Sequence, residues 1–251
     1  MVIVAVAVLA LWELIVQLNV RFEKWDPILF PGPGDVARSL IDFWNTTLLV
    51  RAIGSTLRRL AIGFLISLVL GALLAFLMVR FATFGKRVQP YILGLQTFPS
   101  IAWVPLSLIW FGFSEAALLF VTIIGSLFAV SISFVDALRT VPPVYLRAAR
   151  NMGSDGMDLI LRVTVPAALP HLISAAKVGW SFAWRSLIGA EVIFATVGLG
   201  FLLNVSASIP DIAGVMGVMI VILIIGVFVD RWVFSKTQEW ASRRRGLLPG
   251  R

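Results

Sequence analysis

The sequence predicts an all-α integral membrane protein of about six transmembrane helices, and three observations carry that expectation. Of its 251 residues 59% are hydrophobic and only 14% charged, where a soluble domain carries roughly a quarter charged residues. Mean hydropathy is +0.97. The apolar residues fall into runs long enough to cross a bilayer, each needing roughly 20 residues. Charges gather in the segments between those runs. The chain reads as a single transmembrane domain over residues 1–251, with the first span and an outer proline-rich segment in 1–50 and the core spans in 51–251.

Composition also excludes whole classes of function. Without cysteine there is neither a disulfide nor a thiolate metal site, and one histidine, His171, cannot build a multi-histidine centre, so no metal site is expected. A net charge of +8 in a chain with no polar domain reflects loop bias toward Lys and Arg rather than a nucleic-acid surface, so no nucleic acid is expected as a partner. No nucleophile–base pair or carboxylate dyad sits in a plausible setting, so no catalytic residue is named and a membrane-embedded enzyme is disfavoured.

Span 1 covers Val2 to Leu18. It lacks the basic start and small-residue cleavage site of a signal peptide and reads as a retained span, compatible with a short leader ahead of it. Glu13 inside it must face other helices or reach water, because an acid at the bilayer centre costs about 2.5–3.5 kcal/mol. Pro27 and Pro31-Gly32-Pro33-Gly34 follow, then Asp35 as an N-cap of a short amphipathic helix suited to the membrane surface, with an ordinary connecting loop the alternative.

Span 2 runs from about Leu57 or Leu60 to Val79, with Arg58 and Arg59 snorkelling from its outer end. Gly63, Ser67, Gly71 and Ala75 recur every four residues, a stripe that lets two helix backbones approach closely in lipid. Span 3, from Pro90 to Phe111, is interrupted by Pro99 and Pro105. The carbonyls that prolines free are tolerated where neighbours or a cavity satisfy them, so a broken span suits a pathway lining, with a structural kink the simpler alternative. Span 4 covers Ala116 to Val135. Span 5 covers His171 to Val197 and is broken by Gly198-Leu199-Gly200. Span 6 covers Ile212 to Phe234.

Six spans put both termini on one side. That side holds twelve basic residues (Arg80, Lys86, Arg87, Arg139, Arg147, Arg150, Arg162, Lys236, Arg243, Arg244, Arg245 and Arg251). The other holds six, Arg21, Lys24, Arg38 and Arg51 with Arg58 and Arg59 counted. The bias puts the termini and the loop 136–170 in the cytoplasm.

Within that loop Pro142-Pro143 open a helix that Gly153 is placed to end. A second short helix starts near Asp155, with Met157, Leu159, Ile160, Leu161 and Val163 supplying apolar contacts, and Pro166 and Pro170 set the approach to span 5. Arg147-Ala148-Ala149, then Gly153 after three residues, then Val163-Thr164-Val165-Pro166 after nine, resembles the cytoplasmic motif of ABC importer permeases. That motif has the form E-A-A, three residues, G, nine residues, I-x-L-P. Every spacing is kept, and span count, the outer PGPG and the GLG after span 5 extend the likeness over nearly the whole chain. It is most similar to the sulfonate, taurine, nitrate and bicarbonate branch. Arg147 stands where the family has an acid, so that one contact is not carried over.

The resemblance implies a type I ABC importer permease fold in a bacterial or archaeal inner (plasma) membrane, with loop 136–170 as the coupling-helix segment. Arg147, Ala148, Ala149, Gly153, Val163 and Pro166 would dock the ATPase. Implied partners are a second copy of the chain, two copies of a cytosolic ABC ATPase and an extracytoplasmic solute-binding protein. No cofactor is expected on this chain, ATP and Mg2+ belonging to the ATPase. The sequence has no G-x-x-x-x-G-K-[ST] phosphate loop, in keeping with that division.

For the translocation path, Lys177, Ser181 and Arg185 form one polar stripe on span 5, Ala175, Gly179 and Ala183 a small-residue stripe on nearly the opposite side, and Trp180, Trp184 and Glu191 a third face. Ionisable groups at membrane depth face an interior or a water-filled cavity. Lys177, Ser181, Arg185 and Glu191, with Pro99 and Pro105, are therefore candidates for a path that tolerates a small anion. A snorkelling Lys177 and an Arg185–Glu191 pair are the structural alternatives, and Asp230-Arg231 read as interfacial anchors. A secondary transporter working without an ATPase is the alternative function, disfavoured by the absence of a detectable internal repeat and by the large loop.

Overall fold

The computed structural model describes residues 2–22 and 29–243. Lys24, Pro27, Arg244, Arg245 and Arg251, and the side chains of Arg21 and Arg243, lie outside the described residues. All regular structure among the described residues is helical: α1 (Val2–Phe22), α2 (Pro33–Asn45), α3 (Leu48–Arg80), α4 (Ala82–Thr97), α5 (Val104–Phe111), α6 (Glu115–Arg139), α7 (Pro143–Asn151), α8 (Gly156–Leu159), α9 (Val165–Ile193), α10 (Leu199–Ser208), α11 (Ile212–Phe228) and α12 (Lys236–Arg243). A 3₁₀ turn, Ser100–Trp103, precedes α5, and π-turns at Ile160–Thr164 and Val229–Ser235 join α8 to α9 and α11 to α12.

Among the described residues, four stretches are long and apolar enough to cross a membrane: Leu48–Arg80, Glu115–Arg139, Gly156–Ile193 and Ile212–Glu239. Ala82–Thr97 with Ser100–Phe111, bent by 93°, makes a fifth if the pair counts as one span, and α1 contains the shorter apolar stretch Ala7–Asn19. The bend follows from chemistry at Pro99. Its ring disfavours a helical Phe98, which is extended at φ −69°, ψ 128°. Pro105 does not break anything, because it occupies the first turn of α5, where no intrahelical N–H is needed.

The chain forms two compact units, residues 1–58 with 188–225, and residues 59–187 with 226–251. In the second, the small-residue stripe of α3 meets α6 position by position. A Cβ added at Gly63 would lie 2.8 Å from Thr122, and one at Gly71 2.6 Å from Val130. Between them the Ser126 hydroxyl donates to Ser67 at 2.8 Å, and Ser67 donates to the Phe64 carbonyl at 2.9 Å. Ala75 is fully buried and opens a cluster with Met78, Ile92, Ile132 and Val135. The small stripe of α9 meets the same part of α6: Ala175 and Ala183 are buried, and a Cβ at Gly179 would strike Val130. Phe64, Trp180 and Phe234 fill the remaining space, with Phe64 edge-on to Trp180 at 5.6 Å.

Arg59 departs from the snorkelling expected of it. It is only 7% exposed, and its Nε lies 3.4 Å from Glu115 Oε1 at the first residue of α6, where an acid also complements the helix dipole.

In the first unit, the N-cap of α2 lies three residues earlier than the expected Asp35. Gly32 is the N-cap, Pro33 opens the helix, and the Asp35 carboxylate reaches back to accept from the Gly32 N–H at 3.2 Å. Proline at the first position prefers this earlier start, leaving the acid at N3. Asp211 ties two elements together, accepting from the Gly214 N–H at 2.8 Å to cap α11 and from the Ser39 hydroxyl of α2 at 3.3 Å. Glu13 is exposed and accepts from Gln17 at 3.0 Å.

Overpacking a tight seam costs about 1–3 kcal/mol. Gly71→Val is therefore expected to lower the thermal unfolding midpoint of the purified protein. Gly54→Val, where a Cβ meets nothing within 4 Å, is expected to change it little.

Candidate functional site: docking loop and polar path

The loop between α6 and α9 is shaped by its glycines and prolines. Pro142 is the N-cap of α7 and Pro143 its first residue. At the other end Gly153 has φ +87°, its N–H donates to the Arg150 carbonyl at 2.9 Å, and the Ser154 N–H donates to the Ala149 carbonyl at 3.0 Å. This is a Schellman ending, which a residue with a Cβ adopts only under strain. Gly156, at φ +57°, makes a second left-handed turn into α8, and Ser154 Oγ donates to Asp158 at 2.7 Å.

Beyond α8 the helix runs on, instead of giving way to a separate span that starts at His171. It widens into the π-turn Ile160–Thr164 and continues as α9, with Pro166 in the first turn and Pro170 inside. The Thr164 hydroxyl also donates to the Leu159 carbonyl, five residues back, at 3.1 Å. The apolar side chains of this stretch divide between inside and outside. Leu159 and Ile160 are buried, Val163 is half-buried, and Met157 and Leu161 face outward instead of packing inward.

Of the docking residues named from the motif, Arg147, Ala148 and Gly153 are exposed, Ala149 is buried, and Val163 and Pro166 are half-buried. Ala148, Ala149 and Val163 share the wall of a groove of about 430 Å3 with Tyr145, Met152 and Arg162. Met152 at the loop tip is 81% exposed, and Arg162 pairs with Asp158 at 2.6 Å. The loop thus presents exposed apolar side chains beside a groove, with charges at its rim.

The polar stripe of α9 divides. Lys177 is paired with Asp230, Nζ to Oδ1 at 2.9 Å, which makes Asp230 a partner of the stripe rather than only an anchor. Ser181 Oγ donates to the Lys177 carbonyl at 3.3 Å. Arg185 is exposed, donates from Nε to the Ser181 carbonyl at 3.1 Å, and places its guanidinium 4.7 Å from the Phe182 ring centroid. Among the described residues no acid forms an ion pair with Arg185.

Arg185 lines a cavity of about 300 Å3 whose other walls include Phe98, Pro99 and Ser100 at the break after α4, with Gly125, Phe182 and Ser186. Gly125 is required there, because a Cβ would collide with Ser186 and would lie 2.9 Å from Ser100. The structure therefore brings Pro99 and Arg185 together, and leaves Pro105 and Lys177 off this wall. A second cavity, of about 500 Å3, is lined by Ser181 and Arg185 with the stacked Trp180 and Trp184, Asp230 and Arg231.

Glu191 takes a different position. It is 0% exposed, and its Oε2 accepts from the Thr56 hydroxyl at 2.8 Å and from the Gly200 N–H at 3.2 Å. Thr56 Oγ1 in turn accepts from the Leu199 N–H at 2.9 Å. A carboxylate and a hydroxyl thus satisfy the first amides of α10, where the helix dipole favours negative charge. Gly198 and Gly200 have no room for a side chain beside Glu191, which gives the GLG break its physical reason. Thr56 escaped the sequence reading because a single hydroxyl in an apolar run carries no pattern. Asp230 was visible as an intramembrane-end acid, but its partner was not.

Removing the acceptor would orphan buried donors at a cost of about 1–3 kcal/mol. Glu191→Ala is expected to lower the unfolding midpoint more than Arg185→Ala, as differential scanning fluorimetry of the purified chain would read.

Comparisons with known proteins place the chain in a family. The family described as the binding-protein-dependent transport system inner membrane component matches residues 67–234. A protein of Methanocaldococcus jannaschii named as an ABC transporter permease is 32% identical over 85% of this chain and 75% of its own length. The nitrate import permease of Leptolyngbya laminosa is 27% identical over 77% of this chain and 70% of its own. Permeases named for aliphatic sulfonates in Bacillus subtilis and for bicarbonate in Synechococcus elongatus are 25% and 26% identical, over 95% and 80% of this chain and 86% and 70% of theirs. A chain of the MetNI methionine ABC transporter, in an inward-facing conformation, superposes with a TM-score of 0.67 at 21% identity, over 77% of this chain and 96% of that one. The chain belongs to the binding-protein-dependent permease family, as a multi-pass transport component that is not itself an enzyme and that leaves ATP and Mg2+ to a partner ATPase.

Proposed function

We propose that two copies of this chain form the translocation path of an ATP-driven importer for a small anion of the nitrate, sulfonate, taurine or bicarbonate class. A solute-binding protein delivers the anion from outside, and two cytosolic ATPases dock on the loops carried by Arg147, Ala148, Ala149, Gly153, Val163 and Pro166. Both termini and this loop lie in the cytoplasm, following the bias of basic residues. The observation that carries the substrate class is Arg185. A cation on a membrane helix costs about 2.5–3.5 kcal/mol at the bilayer centre unless something offsets it. Arg185 forms no ion pair among the described residues, and it faces a cavity beside the broken helix at Pro99. An anion in transit supplies the missing charge.

Within the stripe the roles differ. Arg185 meets the solute, Ser181 shapes its guanidinium through the backbone bond, and Lys177 is held by Asp230. Pro99 opens the cavity, Pro105 starts the helix that follows, and Glu191 acts by positioning α10. Relatives named for nitrate, sulfonates and bicarbonate support an anionic solute.

In proteoliposomes with the cognate ATPase and binding protein, Arg185→Gln is expected to reduce anion uptake at least tenfold while leaving binding-protein-stimulated ATP hydrolysis within about threefold, since a tenfold change is about 1.4 kcal/mol. Unchanged uptake and ion selectivity would remove the anion-path reading. Gly153→Pro is expected to uncouple ATP hydrolysis from transport while the spans still insert, because its N–H closes the Schellman ending of α7. Normal coupled uptake by that variant would count against the docking role.

A further inference from the structure

A cavity of about 460 Å3 lies at the base of the docking loop, apart from the polar path. Three arginines reach it from three separate elements: Arg80, the last residue of α3, Arg139, the last residue of α6, and Arg150 in the last turn of α7. Arg139 donates from Nη1 to Gln89 at 3.2 Å, and the Arg80 guanidinium lies 5.3 Å from the Phe81 ring centroid. Among the described residues none of the three forms an ion pair, and Asp155 is the one acid on the wall. Complementing a helix C-terminal dipole explains a cation at each site taken alone. It does not explain why three converge on one cavity. The apolar part of the wall is buried Leu138, Val141, Leu159 and Ile160.

Guanidinium groups around a concavity match the oxygens of a phosphate group, which they bind through charge-assisted and often bidentate hydrogen bonds. Apolar wall beneath them, at the ends of two membrane spans, matches the hydrocarbon that follows a phosphate in a phospholipid. We propose that this cavity is a phosphate-anion site, filled by the phosphodiester of an anionic phospholipid. Its lining includes Pro143 and Gly156 at the starts of α7 and α8, so an occupant braces the docking loop against the ends of α3 and α6. A free cytosolic phosphate offers the same oxygens without the hydrocarbon.

The test uses the purified full chain and three probes: phosphatidylglycerol, phosphatidylcholine and inorganic phosphate. Native mass spectrometry is expected to show phosphatidylglycerol retained at least tenfold over phosphatidylcholine, and its addition to raise the thermal midpoint. The triple variant Arg80→Gln, Arg139→Gln, Arg150→Gln is expected to lose both effects, and the triple change to lysine to keep part of them while reporting on the fold. Lys86→Gln with Arg87→Gln removes neighbouring cations that do not line the cavity and is expected to change neither. Protection by inorganic phosphate alone, absent in the triple glutamine variant, would assign the site to a soluble anion and still support it. The proposal is overturned if the triple glutamine variant keeps the lipid preference, or if the Lys86 and Arg87 changes abolish it equally. Should the triple variant not fold, each single glutamine change is expected to weaken the preference about threefold, and three unaffected singles would overturn the site as well.

Discussion

Much of this structure depends on how closely three helices approach around Val130. In a bilayer the lipid tails are as apolar as leucine, so burying hydrocarbon against hydrocarbon gives little net drive to associate. What remains is close packing, and that requires small residues. Gly71 of α3 and Gly179 of α9 leave no room for a Cβ against Val130, and Gly63 leaves none against Thr122. The Ser67–Ser126 hydrogen bond lies within the same seam and satisfies hydroxyls that lipid cannot. With the seam formed, the polar stripe of α9 is turned away from the packed face, because Ala175, Gly179 and Ala183 occupy that face instead.

The functional features follow from that orientation. Arg185 is left on a cavity wall with the Pro99 break, where Gly125 leaves room for Ser100 and Ser186. Other charges are neutralised locally: Lys177 by Asp230, Arg59 by Glu115, and Glu191 by the amides of α10 with Thr56. Arg185 stands out against that background. The loop between α6 and α9 obeys a separate logic, in which two left-handed glycines set its turns and a π-turn absorbs the transition into α9.

Helix content, the position of the loop, and the seam were legible in the sequence because each rests on a local or periodic signal. Small residues every four positions announce a helix face, and a glycine at fixed distance from a proline pair announces a helix end. The break at Pro99 was legible for the same reason, though Pro105 was over-read, since proline in a first turn disturbs nothing. Less legible were the pairings that join distant segments. Thr56 and Glu191 are 135 residues apart, and nothing near Thr56 marks it as a partner. The burial of Arg59 was missed because an arginine at a span end has two outcomes, solvent or a partner, and only the fold chooses. The π-turn was hidden because a short helix and a separate span from His171 were expected, where a wider turn joins the two into one helix.

That the α7–α8 loop is where an ATPase drives this permease can be tested directly, because the chain contains no cysteine. A single cysteine at Ala148, exposed at the groove of the loop, provides one reactive position without background. In the assembled transporter it is expected to cross-link to the ATPase through a short bifunctional reagent, with a yield that changes on adding ATP. An active, fully assembled transporter in which that position never cross-links to the ATPase, while a cysteine at Trp44 on α2 does, would contradict it.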